Sequence, residues 1–102
     1  ITGGGLSNLL RLHESLGWHI DNPLEPQPEF DWISDIGSVA PVEMYRTFNM
    51  GMGMVIAVSE DSAEASEEWI SRRLPGSRRV GTVVDNGRLV THSETSVVFS
   101  HY

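Results

Sequence analysis

The stretch "TGGGL", residues 2–6, places three glycines directly before a leucine-rich helical pattern. Glycines let the backbone turn sharply and let a ligand approach closely, and the free N–H groups at the start of a helix attract phosphate. Asn8 stands where a dinucleotide-binding fingerprint would need its third glycine, and no Lys-Ser or Lys-Thr pair follows as in a P-loop. The stretch is therefore either a phosphate cradle or a close strand-to-helix turn that binds nothing.

A second glycine-rich stretch, "EMYRTFNMGMGM" at residues 43–54, could form the wall of a binding site. On a strand, Gly51 and Gly53 would share one face and leave a trough without side chains, where a flat ligand or another backbone could lie. Asn49 precedes this trough and offers both donor and acceptor atoms. The alternative is that the glycines admit a closely packed helix, and we interpret the methionines as core residues.

No pattern in the chain predicts a complete active site. Arg46 could bind phosphate through its planar guanidinium, but Glu43 lies three residues earlier on the same predicted helix, and we favour an ion pair between them. We find no paired carboxylates, no Ser-His-Asp arrangement and no metal site. The four histidines lack metal-ligand spacing and are interpreted as surface or core residues: His13, His19, His92 and His101.

The charge balance is strongly acidic, with 14 Asp and Glu against seven basic residues, all of them arginine, for a net charge of -7. This balance argues against non-specific binding to nucleic acid or to an anionic membrane, because both require a basic surface. The absence of lysine supports two hypotheses. The first is a host with high internal salt, where a dense carboxylate surface stays hydrated and its self-repulsion is screened; the second is GC-rich codon usage.

The length and the apolar pattern limit the class of protein. A chain of 102 residues forms one domain with a modest core, and no apolar run approaches the ~20 residues of a membrane span. The absence of cysteine excludes disulfides and thiolate metal sites within these residues.

The first half of the chain predicts short elements around a proline-rich loop. The leucine spacing predicts an amphipathic helix over 6–16, and a short strand follows over 18–21. Three prolines make 21–30 an ordered crossing loop. Two short helices are predicted over 29–36 and 41–48. Their inward positions are Phe30, Ile33 and Ile36 in the first and Met44, Tyr45 and Phe48 in the second.

The second half predicts one long helix and most of the strands. Residues 50–58 form an apolar run on both alternating faces, which predicts a strand buried on both sides. A helix over 59–74 has acidic residues in its first turns and arginines in its last. Its predicted inner face is Ala65, Trp69, Ile70 and Leu74. Strands over 78–84 and 88–92 are joined through "DNG", a tight-hairpin signal, and a last strand covers 96–100. The order predicts an α+β fold with a mixed sheet covered by helices in α/β/α layers.

Four stretches together resemble one family: "ITGGGL", "NLLRL", "DNPLEPQPEFDWI" and above all "VEMYRTFNMGMGMVI". From Ile1 to about Val84 the chain resembles the C-terminal domain of aminoimidazole ribonucleotide synthetase, also called phosphoribosylformylglycinamidine cyclo-ligase. Ser7 and Leu10 stand where bacterial members usually carry Glu and Pro, and this variant resembles archaeal relatives.

The resemblance implies that residues 1–102 are a fragment of a two-domain, cytoplasmic enzyme of purine biosynthesis. A missing N-terminal domain would bind ATP with Mg²⁺ and form a homodimer, and a small ribonucleotide substrate would lie in the cleft between the domains. In the implied reaction, ATP phosphorylates the formamide oxygen of formylglycinamidine ribonucleotide, a ring nitrogen attacks the activated carbon, and phosphate leaves as the imidazole closes. We expect the isolated domain to be inactive.

The resemblance also implies binding roles for two groups of residues, without a general base or a nucleophile. The first group would form a backbone cradle for a phosphate at the cleft: Thr2, Gly3, Gly4 and Gly5. The second would form the cleft wall: Asn49, Met50 and Gly51. The alternatives are a noncatalytic ligand-binding module that uses this fold and a related ATP-dependent synthase or kinase.

Overall fold

A four-stranded mixed sheet organises the chain, and the computed structural model describes all residues from Ile1 to Tyr102. The elements in chain order are a 3-10 helix Gly5–Arg11, β1 Gly17–Ile20, α1 Pro28–Gly37, α2 Pro41–Thr47, α3 Glu60–Arg73, β2 Gly81–Val84, β3 Val90–His92 and β4 Val97–Phe99. The predicted α+β class with a mixed sheet is confirmed.

The predicted hairpin through "DNG" is wrong, because β2 and β3 do not pair. The strand order is β2-β1-β3-β4, in which β1 runs antiparallel to β2 and parallel to β3. The turn that contains "DNG" crosses over the start of β1. Asn86 Oδ1 accepts the Leu89 N–H at 3.0 Å, and Asn86 Nδ2 donates to the Leu89 carbonyl at 3.2 Å. The Trp18 N–H donates to the same carbonyl at 2.8 Å. Gly17 permits this crossing, since a Cβ there would overlap Asn86. Burial of Trp18 and Ile20 favours β1 in the centre of the sheet.

The first helix is shorter and tighter than the spacing predicts. It is a 3-10 helix that ends at Arg11, although its leucines are buried as expected. Two contacts end it: Arg88 donates to the Leu10 carbonyl at 2.8 Å, and His13 Nδ1 accepts the N–H groups of Ser15 and Leu16, each at 3.1 Å. These bonds satisfy backbone groups that a longer helix would have paired internally.

The two short helices lie close to their predicted positions, and each begins with a proline at its first turn. α2 buries Met44 and Tyr45, which pack on the sheet through the Tyr45–His92 ring contact, with centroids 4.5 Å apart. α1 buries no residue fully; Phe30 is half-buried against Phe48. The inward position predicted for Ile36 is wrong, because this residue is 69% exposed.

The buried strand predicted over 50–58 is not observed, and neither is the coverage of both sheet faces inferred from it. Residues 52–58 carry no regular secondary structure, since no neighbouring strand supplies hydrogen-bond partners. Of its methionines, Met50 and Met52 are buried as predicted, whereas Met54 is 79% exposed.

The inner face predicted for α3 is also wrong, because this helix buries no residue. Trp69 is 59% exposed under the guanidinium of Arg73, 3.8 Å from the ring centroid, and Leu74 is 64% exposed. A groove separates the helix from the sheet, so its half-buried residues have no layer to pack against. The core lies between the 3-10 helix, α2 and one face of the sheet, and it comprises Leu6, Leu9, Leu10, Trp18, Ile20, Met44, Tyr45, Met50, Met52, Val90, Val97 and Phe99.

Candidate functional site

The glycine loop adopts a conformation that only glycine takes readily. Gly3, Gly4 and Gly5 have φ angles of +58°, +73° and +50°, so three successive residues are left-handed. Ser7 Oγ donates to the Gly4 carbonyl at 2.6 Å, and Asn8 Nδ2 donates to the Thr2 carbonyl at 3.2 Å and to the Gly3 carbonyl. These side chains hold the carbonyl groups of the loop.

The amide groups of the loop remain available. No acceptor in the protein receives the N–H of Gly3 or Gly4, and both residues are exposed, as is Thr2. A Cβ placed on Gly3 would meet no atom within 4 Å. Exposed N–H donors without a competing acidic side chain in the first helical turn suit an anion. This part of the loop therefore leaves two backbone N–H groups exposed and unpaired.

The fold brings the two glycine-rich stretches together. A Cβ on Gly5 would overlap the Tyr45 carbonyl oxygen and lie 2.8 Å from that of Phe48, so the loop packs on the end of α2. The N-terminal amine of Ile1 donates to the Gly53 carbonyl. The two glycine-rich stretches are therefore in contact through Gly5 and Ile1.

In the second glycine-rich stretch, Gly53 is exposed and Asn49 is half-buried, while Met50 and Gly51 are packed. Asn49 Oδ1 accepts the Gly51 N–H at 3.0 Å, which leaves the Asn49 amide nitrogen without an acceptor in the protein. That nitrogen lies 3.9 Å from where a Gly53 Cβ would be, and nothing else approaches that position. The predicted trough therefore survives only at Gly53.

The absence of a side chain at Gly51 serves packing. Its φ is +93°, and a Cβ there would lie 2.8 Å from the Glu25 carbonyl oxygen of the proline-rich loop. Met50 is only 6% exposed and also has a positive φ, so its side chain belongs to the core. Packing thus accounts for Gly5, Met50 and Gly51. Thr2, Gly3 and Gly4 are exposed to solvent, and Asn49 is half-buried.

Arg11 is a cation near the loop that the sequence patterns did not single out. Its Nη1 donates to Asn8 Oδ1 at 3.3 Å, and the amide of the same Asn8 holds the loop carbonyls. Its guanidinium also lies 5.0 Å from the Tyr102 ring centroid. Its position three residues after Asn8, about one helical turn, was the only sequence signal that could have placed it near the loop. Arg46, by contrast, pairs with Glu43 at 3.6 Å as predicted, and lies over Phe99.

His92 is a core residue, one of the two positions, surface or core, that the sequence left open for the histidines. It is 1% exposed, its Nδ1 lies 2.8 Å from Thr95 Oγ1, and its Nε2 has no partner. Burial lowers the pKa of His92, against a smaller opposing effect of Glu94. Burial, then the charges of Glu94 and Asp31, raise the pKa of Tyr45. Both groups are therefore neutral near pH 7 and serve packing.

Metal binding finds no support in the side-chain arrangement, because no group of three or more His, Asp or Glu is placed to hold an ion. No helix has the length and apolar character needed to cross a membrane.

Comparison with known proteins gives a consistent result. The family model described as "AIR synthase related protein, C-terminal domain" matches residues 1–93. A phosphoribosylformylglycinamidine cyclo-ligase from Methanopyrus kandleri is 43% identical over 94 residues, which cover 92% of this chain and 27% of that protein. The cyclo-ligase of Methanosarcina mazei is 44% identical over 87 residues, covering 85% and 24%. That of Methanococcus maripaludis is 34% identical over 102 residues, covering 100% and 29%.

The match covers most of this chain but only about a quarter of each relative. The family model covers both glycine-rich stretches and ends at residue 93, between β3 and β4. Because that model matches residues 1–93 and the relatives are more than 30% identical, the chain belongs to the family of AIR synthase-related C-terminal domains.

Proposed function

We propose that these residues are the C-terminal domain of a phosphoribosylformylglycinamidine cyclo-ligase, which closes the imidazole ring of aminoimidazole ribonucleotide in purine biosynthesis. The family membership and the names of the archaeal relatives support this activity. The observation that carries the proposal is the glycine loop, which has exposed and unpaired N–H groups at Gly3 and Gly4.

The role proposed for this domain is to hold and orient a phosphate group of the substrate. Backbone N–H groups bind phosphate oxygens without a charged side chain, and Arg11 adds a positive charge linked to the loop through Asn8. Phosphoryl transfer depends mainly on positioning and on stabilisation of charge, so a fixed cradle contributes directly to the rate. Gly5, which is buried, packs the first glycine stretch against α2, and Gly51, which is half-buried, packs the second against the proline-rich loop.

ATP and Mg²⁺ would bind mainly to an N-terminal domain outside these residues. The donors present here suit phosphate oxygens, and no cluster of three or more His, Asp or Glu side chains is placed to hold a metal ion. The relatives are about four times longer than the matched region, which leaves room for such a domain. A homodimer, a cytoplasmic location and a host with high internal salt are further parts of this proposal.

The experiment is a matched pair of substitutions in the complete gene product, assayed with ATP, Mg²⁺ and formylglycinamidine ribonucleotide. Gly3→Asp puts a negative charge into the cradle, and Gly76→Asp puts the same charge on a left-handed glycine after α3; neither new Cβ would meet an atom within 4 Å. We expect Gly3→Asp to abolish turnover while its unfolding curve stays close to that of Gly76→Asp, which should remain active.

Three other outcomes would count against the proposal. Full activity of Gly3→Asp would refute the cradle. A complete gene product without turnover would favour a noncatalytic ligand-binding module, and turnover of a different substrate would favour a related ATP-dependent synthase or kinase. Residues 1–102 alone should show no turnover, because ATP binding is assigned elsewhere.

A further inference from the structure

Residues Gly53–Val58 form an apolar segment that the rest of the chain leaves uncovered. Met54 is 79%, Ile56 60% and Val58 45% exposed. The backbone N–H and carbonyl groups of residues 54–58 make no hydrogen bond within the protein. An apolar run with unpaired backbone groups has the properties of a strand edge that lacks its neighbour.

The same segment borders an apolar groove. The groove has a volume of about 660 Å³ and runs between residues 52–58, α3 and the edge strand β2. Its apolar lining includes Ile70, Leu74, Val80 and Val83. Because α3 buries no residue, its packing layer is incomplete.

The position of Ile1 indicates what covers this segment. Its amine donates to the Gly53 carbonyl, so any chain that leads into Ile1 arrives beside the start of the segment. The opposite direction is obstructed, since the Glu25 carbonyl and Pro26 lie against Gly51. A preceding chain that continues this contact would run along residues 53–58 in the antiparallel direction.

We propose that the residues immediately upstream of Ile1 pair with Gly53–Val58 as an antiparallel strand and complete the apolar layer between the sheet and α3. This inference rests on the proposal that the chain continues as its relatives do, of which it spans about a quarter. A second copy of residues 1–102 is the competing occupant. It is disfavoured because a chain that leads into Ile1 already lies beside Gly53 and would compete for the same edge.

The contact supplies one of the two hydrogen bonds of an antiparallel hydrogen-bonded pair, and the proposed register takes Ile1 and Gly53 as that pair. Every second residue of the segment then bonds to the upstream strand, so the N–H groups of Val55 and Ala57 donate to it. Ile56 then lies opposite the third residue upstream of Ile1 in a non-hydrogen-bonded pair, whose Cα atoms are ~4.5 Å apart. A disulfide can bridge that distance.

Hydrogen exchange of the complete gene product tests the pairing. We expect the amides of Val55 and Ala57 to exchange at least about 100-fold more slowly than that of Gly76, an exposed turn residue in the same protein. Exchange of Val55 and Ala57 as fast as Gly76 would overturn the proposal. Protection that disappears on dilution would also overturn it, because it would assign the edge to a second copy.

A cysteine pair tests the register independently. Ile56→Cys, combined with cysteine at the third residue upstream of Ile1, should form an intramolecular disulfide on mild oxidation. Val98→Cys, 52% exposed on β4, combined with the same upstream cysteine, should not. A disulfide in neither pair, in both pairs, or only between chains contradicts the register.

The outcome is separable from that of the proposed function. Protected amides in a protein without cyclo-ligase turnover would refute the activity and keep the strand. Rapid exchange in an active enzyme would refute the strand and keep the activity.

Discussion

Substitution of Gly5 by alanine tests how the glycine loop is held against α2. Gly5 has a φ of +50°, and a Cβ there would overlap the Tyr45 carbonyl oxygen and lie 2.8 Å from the Phe48 carbonyl oxygen. The left-handed conformation costs alanine about 1–2 kcal/mol. Crowding against backbone atoms, which cannot rotate away, adds typically ~1–3 kcal/mol. We therefore expect Gly5→Ala to lower the free energy of unfolding by about 2–5 kcal/mol.

Gly76→Ala is the matched control, because Gly76 also has a positive φ but no atom lies within 4 Å of the new Cβ. Its free energy of unfolding should fall only by the cost of the left-handed backbone conformation, about 1–2 kcal/mol. Urea unfolding, followed by the fluorescence of the buried Trp18, measures both values. If the two variants lose the same stability, Gly5 is not packed against α2 and the description of the loop is incorrect.

Two further predictions concern pH and salt. Burial lowers the pKa of His92 below its ordinary 6.5, so His92 binds a proton more readily in the unfolded chain than in the folded one. The free energy of unfolding should therefore stay constant above pH 6.5 and decrease as the pH falls below it. Urea unfolding measures this decrease, which should be smaller for His92→Gln than for the wild type. The exposed His101→Gln is the control and should behave as the wild type does. A decrease in His92→Gln as large as in the wild type would show that His92 does not cause it. If the net charge of -7 reflects a high-salt host, KCl up to roughly 3 M should raise the urea midpoint, and loss of stability in KCl would reject that hypothesis.

The sequence by itself determined the features that depend on nearby residues. Helical leucine spacing identified Leu6, Leu9 and Leu10 as core, and the apolar positions within 41–48 located α2. The pairing of Arg46 with Glu43 followed from their separation on one helix. Each of these depends on contacts within about one or two helical turns, where residue type and spacing are sufficient.

The sequence could not distinguish the roles of the glycines. Gly3 and Gly5 occur in one uninterrupted run, yet Gly3 faces open space whereas Gly5 packs on the carbonyl groups of α2. Gly51 and Gly53 differ in the same way, because only Gly51 lies against the proline-rich loop. The neighbours that decide these roles are distant in the chain, so no local pattern reports them.

Only the tertiary structure decided the strand order and the state of residues 53–58. The "DNG" turn is compatible with a hairpin, but burial of Trp18 and Ile20 inserts β1 between the two strands that the turn connects. The apolar run has the composition of a buried strand, but a strand forms only where a neighbour satisfies its backbone hydrogen bonds. Composition therefore determined which segments could enter the sheet, and the available partners determined which of them did.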